Sequence, residues 1–461
     1  MTDEIAMMSA TELRQNYRRR RLSPVEATKA VLARIEARDG ALNAFRFVAH
    51  DDALAAARRS EERWMKGAPC GLLDGIPSTI KDQWPAKGWP TLKGSRTVSP
   101  EGPWTEDAPA VARMREHGAV FLGKTNMPEF GWKGVTDSPL TGVSRNPWNR
   151  ERTCGGSSGG AAIAAATGMG MLNIGSDGAG SIRIPSAFCG VYGLKATYGR
   201  VPAYPYGLLP GCSHTGPMVR TVADAALMLT VISEPDPRDW LQLPEERRDW
   251  RIGLEEGVRG LRIAYSRTLG HGWVDPEVGV LVDEAARVFE ELGAYVEEKD
   301  PGFPDPRAPF EAFYWSNMAA TLEGIPAEKR ALMDPGYLER AEYGRRYSAG
   351  DLLRAWAARD ALGRHMNAFH ESYDLLLTPQ LPLVAFELGK THPDRLGAMF
   401  DWLPFTFPFN FTQQPAASVP CGFTGEGLPA ALQIVAGRYR EDLVLRASRA
   451  YESVRPFKMP E

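Results

Sequence analysis

Two glycine-serine clusters hold the residues of this chain best suited to chemistry. They are Cys154-Gly155-Gly156-Ser157-Ser158-Gly159-Gly160 and Gly175-Ser176-Asp177-Gly178-Ala179-Gly180-Ser181-Ile182-Arg183-Ile184-Pro185. Glycine is costly inside regular structure, so such density marks backbone that takes positive φ or approaches another group closely. The first cluster leads into an alanine-rich helix and the second follows an apolar run, which sets serines beside turns with unpaired backbone N–H groups. Such N–H groups can stabilise an oxyanion. A phosphate cradle is disfavoured, because neither cluster matches G-x-x-x-x-G-K-[ST] or the dinucleotide fingerprint. Gly156 to Gly160 fits G-x-S-x-G with Ser158 as nucleophile, but a nucleophile elbow needs a preceding buried strand, and Asn149-Arg150-Glu151-Arg152-Thr153 is not one. On its own, either cluster is also compatible with a plain tight-turn loop.

The elements around these loops alternate. Ser23-Pro24-Val25-Glu26 gives an N-cap, a proline at the first helical position and an acidic first turn, and a second helix is expected over 52–64. Together they make an N-terminal helical segment of about residues 1–66, with Arg18 to Arg21 as a solvated helix end. Gly75 to Asp82 is a short β-branched run that ends on Lys81 and Asp82. Helices are expected over 108–117, 157–168, 221–232 and 276–292, and strands over 119–123, 169–176, 261–266, 294–298, 373–377 and 430–436. This alternation argues for an α/β fold with a largely parallel or mixed sheet. The Pro- and charge-rich stretch 234–260 reads as a surface connection, and no flexible linker divides the chain.

Composition removes several function classes. Among 461 residues, 54 Lys+Arg balance 57 Asp+Glu for a net charge of -3, so no global positive field favours nucleic acid or an anionic membrane. The most apolar stretch, Ala161 to Leu172, is too short to span a bilayer and reads as a closely packed buried helix. Five scattered cysteines, without a CxxC pair or a histidine at ligand spacing, indicate a reducing compartment and no metal site. The acidic N-terminus Met-Thr-Asp-Glu is unlike a secretory signal, so a cytoplasmic location is expected. Of the seven histidines only His117 and His214 lie near the motifs, and no spacing argument assembles a Ser-His-Asp triad from them.

In order and spacing, the Gly75-Ile76-Pro77-Ser78-Thr79-Ile80-Lys81-Asp82 run and the two clusters resemble the amidase signature family. Gly123 to Met127, Leu377-Thr378-Pro379, Gln414-Pro415-Ala416 and Gly427 to Val435 extend the resemblance from about Ser23 to about Tyr451. It implies one domain over residues 1–461, a large mixed, twisted sheet surrounded by helices, and a more variable pocket region over about 300–411. It also implies Lys81 as base, Ser157 as the bridging serine after a cis peptide, Ser181 as nucleophile, and an oxyanion hole from the N–H groups of Gly178, Ala179, Gly180 and Ser181. Ser158 would support the site by hydrogen bonding, and Asp177 and Arg183 would anchor the loop as structural charges. The physics agrees, since a lysine takes a serine proton only when neutral. Lowering its pKa from about 10.4 toward roughly 7–8 needs about 3–5 kcal/mol, which burial supplies. The competing reading of Lys81 is a surface lysine paired with Asp82.

The implied activity is hydrolysis of a small-molecule carboxylic amide through an acyl-enzyme, without cofactor, with a homodimer left open. A carbamate or ester hydrolase would keep the same three residues. A glutamine amidotransferase subunit of a tRNA-dependent complex is the runner-up, although its Asp-Ser-Thr-Ser stretch is replaced by Asp236-Pro237-Arg238-Asp239-Trp240. A non-catalytic binding protein on the same scaffold is disfavoured by retention of Lys81, Ser157 and Ser181. Where the family has Thr-Gly-Gly before the nucleophile, this chain has Gly178-Ala179-Gly180, which puts the shape of the oxyanion turn in question. Aromatic-rich segments at 84–104, 130–132, 313–337 and 399–411 are the expected pocket walls and lean toward an apolar or aryl substrate.

Overall fold

The short apolar runs that follow the helices pair into one large sheet. The structure, a computed structural model, describes residues 2–207 and 209–460. Its strands are β1 (Phe45–Val48), β2 (Pro77–Lys81), β3 (Val120–Thr125), β4 (Asp137–Ser138), β5 (Gly142–Val143), β6 (Leu172–Asp177) and β7 (Tyr192–Lys195). They continue with β8 (His214–Val219), β9 (Arg262–Tyr265), β10 (Tyr295–Glu298), β11 (Leu375–Pro379), β12 (Ala416–Phe423) and β13 (Pro429–Ala436). Apart from the small β4–β5 hairpin, they form an 11-stranded sheet in the order β1-β3-β2-β6-β8-β7-β12-β13-β11-β9-β10. The pairs β2–β3, β2–β6, β9–β11 and β9–β10 are parallel and the others antiparallel. The fold is thus the expected mixed α/β sheet surrounded by helices.

Local sequence explains the helices that support the site. Ser23 and Glu26 close a capping box on Pro24–Leu42, and the Thr221 side chain caps Val222–Ile232. The helix Gly159–Ala166 is buried along its whole length, so it takes only small or aliphatic residues. A Cβ at Gly160 would lie 2.3 Å from the Ala44 carbonyl oxygen and 2.5 Å from the Asn126 nitrogen. Backbone therefore meets backbone here, and only glycine allows it.

The apolar interior has two parts. One covers the sheet beneath the N-terminal helices and the C-terminal helix Glu441–Val454. The other is a nest of aromatic rings in which Phe310 stacks on Phe407 with centroids 4.7 Å apart and meets Phe411 edge-on at 5.2 Å. Each such pair adds about 0.5–1.5 kcal/mol beyond burial of its area.

Several elements differ from the sequence expectation. The N-terminal segment is not wholly helical, because β1 leaves it to form one edge of the sheet against β3. Strand β7 was not expected, and strands β8 and β12 occupy stretches broken by Gly216-Pro217 and by Pro420, where β12 carries a register shift against β13. The 234–260 connection has neither helix nor strand, as expected, yet it is pinned to the body of the protein. Trp250 is buried between the Arg200 and Arg248 guanidinium groups at 5.1 and 4.7 Å. Among the described residues, no helix is long and apolar enough to cross a membrane.

Candidate active site

Lys81 ends β2, a strand buried along its length, and its side chain reaches the turn that precedes Gly159–Ala166. Nζ lies within hydrogen-bond distance of Ser157 Oγ at 2.7 Å, Ser158 Oγ at 2.9 Å and Ser176 Oγ at 2.8 Å. No part of Lys81 is exposed, and burial pushes its pKa well below the ordinary lysine value, opposed only in part by the Asp177 carboxylate. Asp82 is not its partner. That carboxylate pairs with Arg46 at 3.0 Å, so the surface ion-pair reading of Lys81 is set aside.

The serine turn is held from both sides. The Gly156–Ser157 peptide is cis, as the family resemblance implied. Ser158 donates from Oγ to the Ser176 carbonyl and accepts from the Ser176 N–H, both at 3.1 Å, while its own N–H donates to the Ser181 carbonyl at 3.1 Å. These bonds tie the end of β6 to both serine loops. Ser176 donates from Oγ to Gln83 Oε1 at 2.6 Å. Neither Ser176 nor Gln83 was singled out from the sequence, because the β2–β6 pairing brings Ser176 to the lysine and Gln83 meets only Ser176 there.

Asp177 and Arg183 anchor the turn between them. Arg183 Nε lies 2.9 Å from Asp177 Oδ2, and both side chains are fully buried. The guanidinium also donates to Gln433 Oε1 at 2.7 Å and Asn410 Oδ1 at 2.6 Å, linking the turn to β13 and to the aromatic nest. Burial favours the neutral form of Asp177, but Arg183, Lys195 and the Asn410 amide outweigh it and hold the carboxyl well below its usual range. Asp177 accepts the Gly180 N–H at 2.7 Å and the Ile182 N–H at 3.2 Å, which fixes the path of the backbone through Ser181.

One expectation needs correction here. The Gly180 N–H is spent on Asp177, so it is not a free oxyanion donor. Among the described residues no acceptor takes the N–H of Gly178, Ala179 or Ser181, and these three remain available. The alanine in place of the usual glycine is accommodated. Only Gly180 has positive φ in this turn, at 119°, and a Cβ there would lie 2.7 Å from Thr406 Cβ, whereas Ala179 takes an ordinary conformation.

Ser157, Ser176, Ser181, Gly178 and Ala179 line a cavity of about 30 Å³, closed by Phe130, Leu209 and Tyr314. It adjoins a second cavity of about 180 Å³ lined by Lys93, Met127, Pro205, Tyr206, Gly207 and Thr321, and Gln83 and Phe130 border both. The expected walls at 84–104, 130–132 and 313–337 thus contribute, through Lys93, Phe130 and Tyr314. Among the described residues, the 399–411 segment does not line either cavity; its rings pack in the aromatic nest behind the turn. In its stead stand Pro205, Tyr206, Gly207, Leu209 and Ser213, with Asp239 accepting from the Tyr206 hydroxyl at 3.0 Å and from the Ala203 N–H at 2.9 Å.

The other candidate bases are occupied elsewhere. His214 Nδ1 lies 3.1 Å from the Asp177 carbonyl, not its carboxylate, and burial pushes the imidazole well below its usual pKa. His117 bonds Glu234 at 2.9 Å and the Leu72 N–H at 3.1 Å. Lys124 is buried and pushed down to about 7, chiefly by burial, but it caps the Trp84 carbonyl and Thr91 Oγ1 away from the serines. Among the described residues, no group of His, Cys, Asp and Glu is arranged to hold a metal ion.

Known proteins resemble this chain in sequence and fold. The amidase family model matches residues 26–445. An acylamidase of Rhodococcus erythropolis is 38% identical over 99% of this chain and 98% of its own length. A glutamyl-tRNA(Gln) amidotransferase subunit from Moorella thermoacetica is 36% identical over 97% of each chain. Among solved structures, a bacterial aryl acylamidase of the amidase signature family superimposes with a TM-score of 0.91 at 33% identity, covering 97% of this chain and 96% of that one. With the family model spanning nearly the whole chain and relatives matching end to end, this protein belongs to the amidase signature family.

Proposed function

We propose that the chain hydrolyses the C–N bond of a small carboxylic amide with an apolar or aryl group, using Ser181 as nucleophile, Ser157 as proton bridge and Lys81 as base. The observation that carries this reading is the fully buried Lys81 amine within hydrogen-bond reach of three serine hydroxyls, two of which, Ser157 and Ser176, share a cavity with Ser181. Ser181 Oγ bonds to the carbonyl carbon while its proton passes to Ser157, whose own proton passes to Lys81. The N–H groups of Gly178, Ala179 and Ser181 are the donors near the developing oxyanion. Collapse breaks the C–N bond as the proton returns through Ser157 to the leaving nitrogen. Water then attacks the acyl-enzyme by the same relay, and the acid leaves.

Phe130, Leu209 and Tyr314 around the cavity support an apolar or aryl group, as do the acylamidase and aryl acylamidase relatives. The purified chain alone is therefore expected to hydrolyse aryl amides faster than aliphatic amides, and Phe130→Ala to raise KM for the aryl compounds more than for the aliphatic ones. Faster turnover of carbamates or esters would move the bond while keeping the residues. Turnover of glutamine alone, and only with added partner subunits, would favour the amidotransferase reading that the 36%-identical relatives suggest.

The depressed Lys81 pKa sets a pH dependence. Only the neutral amine accepts a proton, so kcat/KM rises about tenfold per pH unit below the lysine's folded pKa and levels off above it. A profile that instead falls with rising pH between about 6 and 9 would contradict a lysine base.

A further inference from the structure

The hydrogens around Lys81 can be counted. An amide oxygen has none to give, so in the 2.6 Å contact it is Ser176 that donates to Gln83 Oε1. That contact uses the only proton on Ser176 Oγ, and at 2.8 Å the hydroxyl can only accept from Lys81. Ser158 is committed in the same way, since its proton goes to the Ser176 carbonyl at 3.1 Å, leaving it to accept from Lys81 at 2.9 Å. A neutral amine has two hydrogens and one unshared pair. With both hydrogens given to Ser158 and Ser176, the pair is left for Ser157 at 2.7 Å.

We propose that Gln83 is a positioning residue: by taking the Ser176 proton it compels Ser176 to accept from Lys81, and so turns the lysine's unshared pair onto Ser157. The inference rests on Lys81 acting as the base. Ser158 has its direction set by the backbone of β6, which no side-chain change removes, whereas Ser176 has its direction set by a single side chain. Without an acceptor at position 83 the Ser176 hydroxyl is free to rotate its proton onto the lysine's pair, in competition with Ser157. Asp177 is the charged group whose field reaches Lys81, and it is committed to Arg183, so it does not set this direction. Because Gln83 borders both cavities, a direct effect on substrate has to be separated from this one.

The test follows the reactivity of Ser181 itself, without an amide substrate. The rate at which a small alkyl fluorophosphonate labels Ser181 is measured from about pH 5 to pH 10 in the wild type, Gln83→Leu, Gln83→Glu, Ser176→Ala and the Gln83→Leu/Ser176→Ala double variant. Ser181→Ala serves as the unlabelled control. Gln83→Leu is expected to slow labelling about 10–100-fold on the plateau, part of the 10²–10⁴ that a positioned base contributes. Gln83→Glu keeps an acceptor oxygen, so its plateau stays within about threefold of wild type, while its added negative charge moves the acid limb up by about one pH unit. In the Ser176→Ala background Gln83→Leu should cost nothing more, since the two act through one path.

Labelling of Gln83→Leu at the wild-type rate overturns the proposal, as does a Gln83→Glu plateau as low as that of Gln83→Leu. Additive losses in the double variant also overturn it, because they would mean that Gln83 acts by another route. Should Gln83→Leu fail to fold, by circular dichroism and thermal melting, the Gln83→Glu limb and the Ser176→Ala rate decide. A wild type that is not labelled at Ser181 removes the lysine-base reading and this inference with it. Normal wild-type labelling with indifferent Gln83 variants removes only the inference.

Discussion

Lys81→Met is expected to lower kcat by about 10²–10⁴-fold while leaving the protein folded. Methionine fills a similar volume without a charge to desolvate, so the change removes the proposed base and spares the packing. What is lost structurally is one donor to Ser158 and Ser176, each of which keeps another hydrogen bond, to the Ser176 carbonyl and to Gln83. The thermal midpoint should therefore move little. Lys81→Arg makes the sharper comparison. A guanidinium can still donate to the serines, but it is not deprotonated in proteins and cannot accept a proton. If Lys81 acts as a base, arginine is as inactive as methionine. Substantial turnover by the arginine variant, in steady-state assays on an aryl amide, would mean that position 81 serves only as a donor or a fixed charge.

Arg183→Met is expected to destabilise the fold by about 3–5 kcal/mol, the cost of leaving a buried carboxylate without its partner. Asp177 and Arg183 are both fully buried, and the same guanidinium satisfies Asn410 and Gln433. Activity falls along with stability, because Asp177 holds the Gly180 and Ile182 N–H groups that set the turn on either side of Ser181. Pairing the change with Asp177→Asn removes the orphaned charge and should recover part of the stability without recovering turnover. Denaturant unfolding of the wild type and both variants checks this. Linkage adds a signed expectation. The folded pKa of Asp177 is depressed, so its contribution is fully present above the unfolded carboxylate value of about 3.9 and is lost as pH falls toward the folded value. The wild type's lead over the double variant should narrow below about pH 4.

Where local pattern sufficed, the sequence was explicit. Ser23-Pro24-Val25-Glu26 marked the start of a capped helix, and the alternation of apolar runs with helices announced a mixed sheet. Lys81, Ser157, Ser158, Asp177, Ser181 and Arg183 all stood out through their motifs, and they do converge on one buried locus. Other features depend on partners distant in the chain. Ser176 in β6 looks like strand filler until the register with β2 brings it to Lys81, and Gln83 gains meaning only from Ser176. The commitment of the Gly180 N–H to Asp177 follows from the fold of a single turn, which composition does not specify. Strands β8 and β12 were hidden because Gly216-Pro217 and Pro420 punctuate them, and tertiary pairing overrode that local signal. The aromatic run at 399–411 shows the limit of composition, since its rings suit a pocket wall as well as a core and here they fill the core.

In the proposed reaction Ser181 is the nucleophile of a self-sufficient amidase. Its most direct test is the turnover of an aryl amide by the purified chain, without partner subunits or cofactor, beside Ser181→Ala prepared in parallel. The wild type is expected to hydrolyse the amide and the alanine variant to lose about 10⁴-fold or more of that rate, with unchanged folding. Comparable turnover by both would show that bond cleavage does not pass through Ser181 and would rule it out as the nucleophile.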